Sequence, residues 1–279
     1  MRMIPIAAML ACGAADAASG DPDLGPAPVF ASPDLARVEL GWLLFYDPVL
    51  SGSGEVACAT CHHPRFGTSD GVSLSLGDGG LGLGPARVAD PANPPLQRIP
   101  RNATGLWNLG AEQFTVFFHD GRLEEDPTRP GGIRTPLGEE MVSGFDSALA
   151  AQATFPVLSP DEMAGHYGEN DIAQAVGQGM LAHEGGAWDR IAARVAAISA
   201  YADAFAEVAP GERIDFPLIA NVVADFIRFE WRADDSAFDR HMRGEAPLEG
   251  AAARGMGLFY GEAGCSECHS GWFQTDHRF

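Results

Sequence analysis

Residues 58–62 read Cys58-Ala59-Thr60-Cys61-His62, and a second run of the same form, Cys265-Ser266-Glu267-Cys268-His269, stands near the end of the sequence. Two thiols one helical turn apart can add to the two vinyl groups of a haem, and the imidazole that follows can ligate its iron. Four of the five cysteines fall in these runs, each run followed at once by histidine. A thioredoxin-like redox pair needs no trailing histidine, and a zinc ribbon needs its two knuckles far closer than Cys58 and Cys265 are. The runs therefore predict two covalently bound haem c groups, held by Cys58, Cys61 and His62 and by Cys265, Cys268 and His269.

The 279 residues suit about two domains, and a 46% hydrophobic content suffices for real cores. Acidic residues number 38 against 18 basic ones, all arginine, for a net charge of −20. That balance argues against nucleic acid or an anionic membrane as partner, and the lack of lysine excludes lysine-based covalent chemistry. Such a surface can steer a basic electron carrier, or simply keep an exported protein soluble. Arg2, the apolar run from Met3 to Ala11 and the small residues after it form an export signal over 1–17, with Ala15-Asp16-Ala17 as cleavage site. Met9-Leu10-Ala11-Cys12 is an imperfect lipoprotein box that would make Cys12 a lipid anchor. Export and covalent haem both point to the periplasm.

Residues 18–33 have linker composition. Asp34 then opens a helical pattern through Leu35, Val38, Trp42 and Phe45, ending before Asp47-Pro48. Gly41-Trp42-Leu43-Leu44-Phe45-Tyr46 has a counterpart in Gly255-Met256-Gly257-Leu258-Phe259-Tyr260, again ahead of a haem run, so a small helical unit is duplicated. Residues 71–100 and 127–138 are dominated by Gly and Pro and are expected to be long ordered loops. Helical patterns follow over 146–154, 160–167 and 171–183, then a longer amphipathic one from Trp188 to Phe205, and a last one capped by Asp215 with Pro217 in its first turn. No strand is evident. The expected fold is all-α: two cytochrome c-like haem domains in tandem, 34–185 and 186–279, the second truncated, since only ten residues follow His269.

These residues together resemble the bacterial di-haem cytochrome c peroxidase superfamily, which includes the MauG-type oxidases. The resemblance lies in Leu44-Phe45-Tyr46-Asp47-Pro48 with Leu50-Ser51, Arg101-Asn102, Asp120-Gly121-Arg122, Phe155-Pro156-Val157 before Asp161-Glu162-Met163, Phe238-Asp239-Arg240 and Arg254-Gly255. It implies a peroxide site at the first haem and an electron relay at the second. It also implies that Gln152 and Glu162 line the peroxide side, Glu162 as acid/base and Gln152 as an ordering hydrogen-bond partner. Read without the family, Ser159-Pro160-Asp161-Glu162 is a capping box with Glu162 at its third position. Asn102 matches a position that helps hold calcium in the family, and the resemblance further implies a homodimer.

Two departures matter. Ser75-Leu76-Gly77-Asp78-Gly79 places an aspartate where some relatives carry a haem-binding histidine, which implies an open first haem. His119 precedes Asp120-Gly121-Arg122 where the family has its inter-haem tryptophan, leaving His119 or Trp107 to replace it. The expected function is a periplasmic peroxidase reducing hydrogen peroxide with electrons from a small c-type cytochrome or copper protein. The alternatives are a MauG-like oxidase of a protein or organic substrate, and a non-catalytic electron-transfer cytochrome.

Overall fold

The computed structural model describes residues 21–278. The export signal and Cys12 lie outside the described residues. Helices α1 (Leu35–Tyr46), α2 (Cys58–Cys61), α3 (Ala148–Gln152), α4 (Asp171–Gly177), α5 (Ala187–Ala196), α6 (Ser199–Val208), α7 (Phe216–Glu230), α8 (Ala237–Met242) and α9 (Gly250–Tyr260) carry most of the regular structure. The all-α expectation needs correction, because two small antiparallel sheets are also present. Strands β1 (Gly80–Leu81) and β2 (Val88–Ala89) form one, and β3 (Val116–Phe117), β4 (Leu123–Glu125) and β5 (Ile133–Arg134) form the other. Strands of two or three residues are too short to leave an alternating pattern in sequence.

The chain divides into two compact units, one of 21–27 with Asp235–Asp276 and one of Pro28–Asp234 with 277–278. In the larger unit α7 packs against α1 and α3, α6 packs against α1, and α5 packs against α4, α6 and α7. The smaller unit holds α8, α9 and the second haem run.

In the larger unit, Asp34 caps α1 by accepting from the Ala36 N–H, and Asp215 caps α7 by accepting from the Leu218 N–H. The two helices cross at Gly41, where a Cβ would meet the Val222 carbonyl oxygen at 1.9 Å. The buried face of α1 is Val38, Leu40, Leu44 and Phe45, while Leu35 and Trp42 are exposed. In α7, Ile219, Val223 and Phe226 are buried and Phe229 is exposed. The pattern from Trp188 to Phe205 is not one helix: α5 stops at Ala196 and α6 begins at Ser199, with Ile198 extended between them. Trp188 fixes the segment after α3, donating its indole N–H to the Thr154 carbonyl at 3.1 Å and stacking on Phe216.

Candidate functional site

The first haem run forms α2, so Cys58 and Cys61 stand one turn apart. The Thr60 hydroxyl accepts from the Ala57 N–H at 3.0 Å, closing the turn's N-terminus. Burial pushes the Cys58 thiol up to about 12 and the Cys61 thiol up to about 11, the latter pulled back in part by Arg87. Thiols held neutral in this way are unlike the activated thiolate of a redox pair. His62 Nδ1 lies 3.0 Å from the Thr68 carbonyl oxygen, and burial keeps the imidazole below its ordinary value and neutral. The Thr104 backbone is a second partner of the ring; the tautomer that donates Nδ1–H to Thr68 has its lone pair on Nε2, the state an iron ligand requires. His63 is turned to a local task, its Nδ1 accepting from the Arg65 N–H.

The second run repeats the geometry within its own unit. The His269 N–H donates to the Cys265 carbonyl at 2.9 Å, and His269 Nδ1 lies 3.1 Å from the Gln274 carbonyl oxygen. Both donor sets fit haem c: paired thiols across one turn, followed by an imidazole whose Nδ1 is engaged by a backbone carbonyl.

Glu162 sits in a widened turn, Pro160–Ala164, in which the N–H groups of Glu162, Met163 and Ala164 all converge on the Ser159 carbonyl. The capping box does not form, since the Ser159 side chain accepts no capping hydrogen bond. Such π-type turns occur often at functional sites. The turn is anchored to the chain before the first haem run by the Gly52 N–H, which donates to the Met163 carbonyl at 2.7 Å, and by Asn170 Nδ2, which donates to the Ala164 carbonyl at 3.0 Å. The Glu162 carboxyl is partly buried and has no hydrogen-bond partner among the described residues. Desolvation pushes it up to about 7; the Arg122 guanidinium opposes this and Asp161 adds to it. Its charge also acts on the Cys61 thiol, so the carboxyl and the first haem run share one local field.

Gln152 ends α3, its backbone carbonyl accepting from the Phe155 N–H. Phe155 meets Phe118 edge-on at 5.6 Å, and Arg122 lies over the Phe118 ring at 4.2 Å. Phe118 holds φ at 65°, a conformation a bulky residue adopts only under constraint. Asp161 is held by Gln97, which donates at 2.6 Å, and by His166 at 3.2 Å. Asp78 is buried and accepts from the Ser53 hydroxyl. Asn102 is exposed, with its amide donating to Ser69 Oγ at 3.1 Å and the Val72 carbonyl at 2.9 Å. His119 and Trp107 are both largely exposed. Gly77 escapes sequence reading because the backbone it meets, Asp161 and Glu162, is distant in sequence, as is the Leu106 N–H that donates to Thr68. Arg122 stands in a quoted motif, but nothing local tells that it faces Glu162.

The di-haem cytochrome c peroxidase family model matches residues 35–247. The chain belongs to this family. It is 31% identical over 247 residues to the methylamine utilization protein MauG of Methylorubrum extorquens, covering 87% of this chain and 52% of that protein. It is 27% identical to the cytochrome-c peroxidase IdrP1 of Denitromonas iodatirespirans, covering 99% of this chain and 60% of the relative. The chain thus spans about half the length of the di-haem cytochrome c peroxidase relatives it matches. Among solved structures, a MauG-like protein associated with microbial copper homeostasis shares the fold, with a TM-score of 0.53 and 24% identity over 92% of this chain and 61% of that one. Among the described residues no helix is long and apolar enough to cross a membrane.

Proposed function

We propose that the complete protein is an exported di-haem peroxidase that reduces hydrogen peroxide to water with electrons from a small c-type cytochrome or copper protein. The observation that carries this reading is the Glu162 carboxyl, partly buried, without a hydrogen-bond partner among the described residues and in the field of the Cys61 thiol. Cys58, Cys61 and His62 would hold the haem, which would supply redox-active iron for peroxide chemistry when bound. Glu162, ionised, takes the proton from one peroxide oxygen and returns it to the other, so that the O–O bond breaks with water as leaving group. Reduction of one peroxide to two waters takes two electrons and two protons, and a haem held by Cys265, Cys268 and His269 would supply the electron relay. Gln152 orders the pocket by hydrogen bonding, and Arg122 tunes Glu162 towards its ionised form. Periplasmic location, a homodimer and calcium near Asn102 rest on family membership.

A second reading is a MauG-like oxidase of a protein or organic substrate, favoured by the 31% identity to a MauG. Electron paramagnetic resonance of the full-length, haem-loaded ferric protein tests both against an electron carrier. A high-spin ferric signal lost on adding peroxide is expected, and turnover with a reduced small cytochrome then separates peroxidase from oxidase. Two low-spin signals unmoved by peroxide, before and after partial reduction, contradict both enzymes.

A further inference from the structure

The loop against the Glu162 turn is fixed from several sides. At Gly77 there is no room for a side chain: a Cβ would lie 2.3 Å from the Asp161 carbonyl oxygen, 2.5 Å from that of Glu162 and 2.6 Å from the Glu162 Cα. All three are backbone atoms, so Gly77 rests directly on the turn that presents the carboxyl. Arg87 gathers the same loop with three donors. Its Nε donates to the Leu76 carbonyl at 2.8 Å, its Nη2 to the Gly77 carbonyl at 2.6 Å and its Nη1 to the Gly82 carbonyl at 2.8 Å. Buried Asp78, next in sequence, accepts from Ser53 Oγ and, at 3.5 Å, from Asn93 Nδ2. Leu76 in turn touches the haem run, its carbonyl 4.0 Å from the Cys61 thiol. One short stretch, Leu76-Gly77-Asp78, thus bears on Cys61 at one end and on Glu162 at its middle.

We propose that Gly77 and Arg87 are positioning residues for Glu162: the loop latched by Arg87 is the seat that keeps the Glu162 turn against the first haem-attachment site. This rests on Glu162 being the acid/base group. Proton transfer needs a heavy-atom approach of about 2.6–3.2 Å, and a misplacement of about 1 Å can cost about 10²-fold in rate. A methyl group at residue 77 cannot fit without moving the backbone of Asp161 and Glu162 by that order. Arg87 acts on the loop itself, because the carbonyls of Leu76, Gly77 and Gly82 lose their common donor when it is removed.

The test uses the full-length, haem-loaded protein with Gly77→Ala, Arg87→Gln, Arg87→Lys and Glu162→Gln. The rate of reaction with peroxide is measured against pH, and amide hydrogen exchange is followed across 159–166. Gly77→Ala and Arg87→Gln are expected to lower the rate about 10²-fold and to lose the pH-dependent limb that Glu162→Gln also abolishes. Exchange across the turn is expected to rise about tenfold in both with the haem spectrum unchanged, and Arg87→Lys to recover part of the rate. Should Gly77→Ala fail to fold, the Arg87 pair decides. Wild-type rate and exchange in these variants, beside an inactive Glu162→Gln, overturn the seat while leaving the functional reading intact. A fully active Glu162→Gln overturns that reading instead, and exchange alone then decides: faster exchange across the turn upholds the seat, and unchanged exchange overturns it.

Discussion

His62 Nδ1 lies 3.0 Å from the carbonyl oxygen of Thr68, and the second haem run repeats the relationship between His269 and Gln274 at 3.1 Å. Thr68 and Gln274 both hold positive φ, 61° and 50°, although neither is glycine. A β-branched residue enters this region only when its surroundings hold it there. At Thr68 the holding groups are visible: its hydroxyl donates to the Gly67 carbonyl at 2.6 Å and accepts from the buried Leu106 N–H at 2.7 Å. The similarity between the two runs thus extends past the helix and the cysteines to the carbonyl that engages the histidine Nδ1.

Thr68→Val removes the acceptor for the Leu106 N–H while keeping the shape of the side chain. An unsatisfied buried donor costs about 1–3 kcal/mol, and denaturant unfolding of the variant is expected to show a loss in that range. A loss below about 0.5 kcal/mol would mean that Thr68 does not hold the His62 loop.

In the α1–α7 crossing, Asp225 accepts from Arg37 at 2.6 Å and from Arg228 at 2.9 Å, with its own side chain 8% exposed. Asp225→Ala leaves two guanidinium groups without their shared partner. Breaking a buried pair costs about 3–5 kcal/mol, and the partial exposure of Arg37 sets the expectation near the lower end. Equilibrium unfolding with a loss under about 1 kcal/mol would show the cluster to be solvated in practice.

Much of this architecture was legible in the sequence, and the misses share a cause. The Cys-x-x-Cys-His runs and the Asp34 and Asp215 caps are each written within a few consecutive residues. The break at Ile198 was not legible, because that residue keeps the apolar spacing of α5 while its backbone turns extended. Ser159 and Glu162 have capping-box spacing, yet three N–H groups converge on the Ser159 carbonyl and leave the carboxyl free for other work. Gly77 lies against the Glu162 backbone and the Arg122 charge reaches the Glu162 carboxyl across the fold, and no local pattern marks such contacts.

Arg122 draws the Glu162 carboxyl down against burial. Arg122→Met removes that opposing charge, so the carboxyl keeps its proton to higher pH. The rising limb of the peroxide rate against pH is expected to move upward in the variant, measured by stopped flow. A limb that stays in place would separate Arg122 from Glu162.

Stability carries the same signature with its own sign. The folded carboxyl, pushed up to about 7 from an ordinary 4.5, binds a proton over that interval while the unfolded chain has released it. Stability from this group is therefore full below the unfolded value and falls as pH rises through the folded one. Glu162→Gln is expected to flatten that decline in denaturant midpoints between pH 4.5 and about 7. An unchanged slope would place the carboxyl in solvent.

The most direct measurement is the rate of peroxide reaction of the full-length, haem-loaded protein and its Glu162→Gln variant across pH. The wild-type rate is expected to rise with pH through about 7 as the carboxyl ionises. The variant is expected to run about 10²–10⁴-fold slower with that limb gone. A variant that reacts as fast as wild type, with the same pH dependence, would contradict Glu162 as the acid/base group and with it the proposed peroxidase.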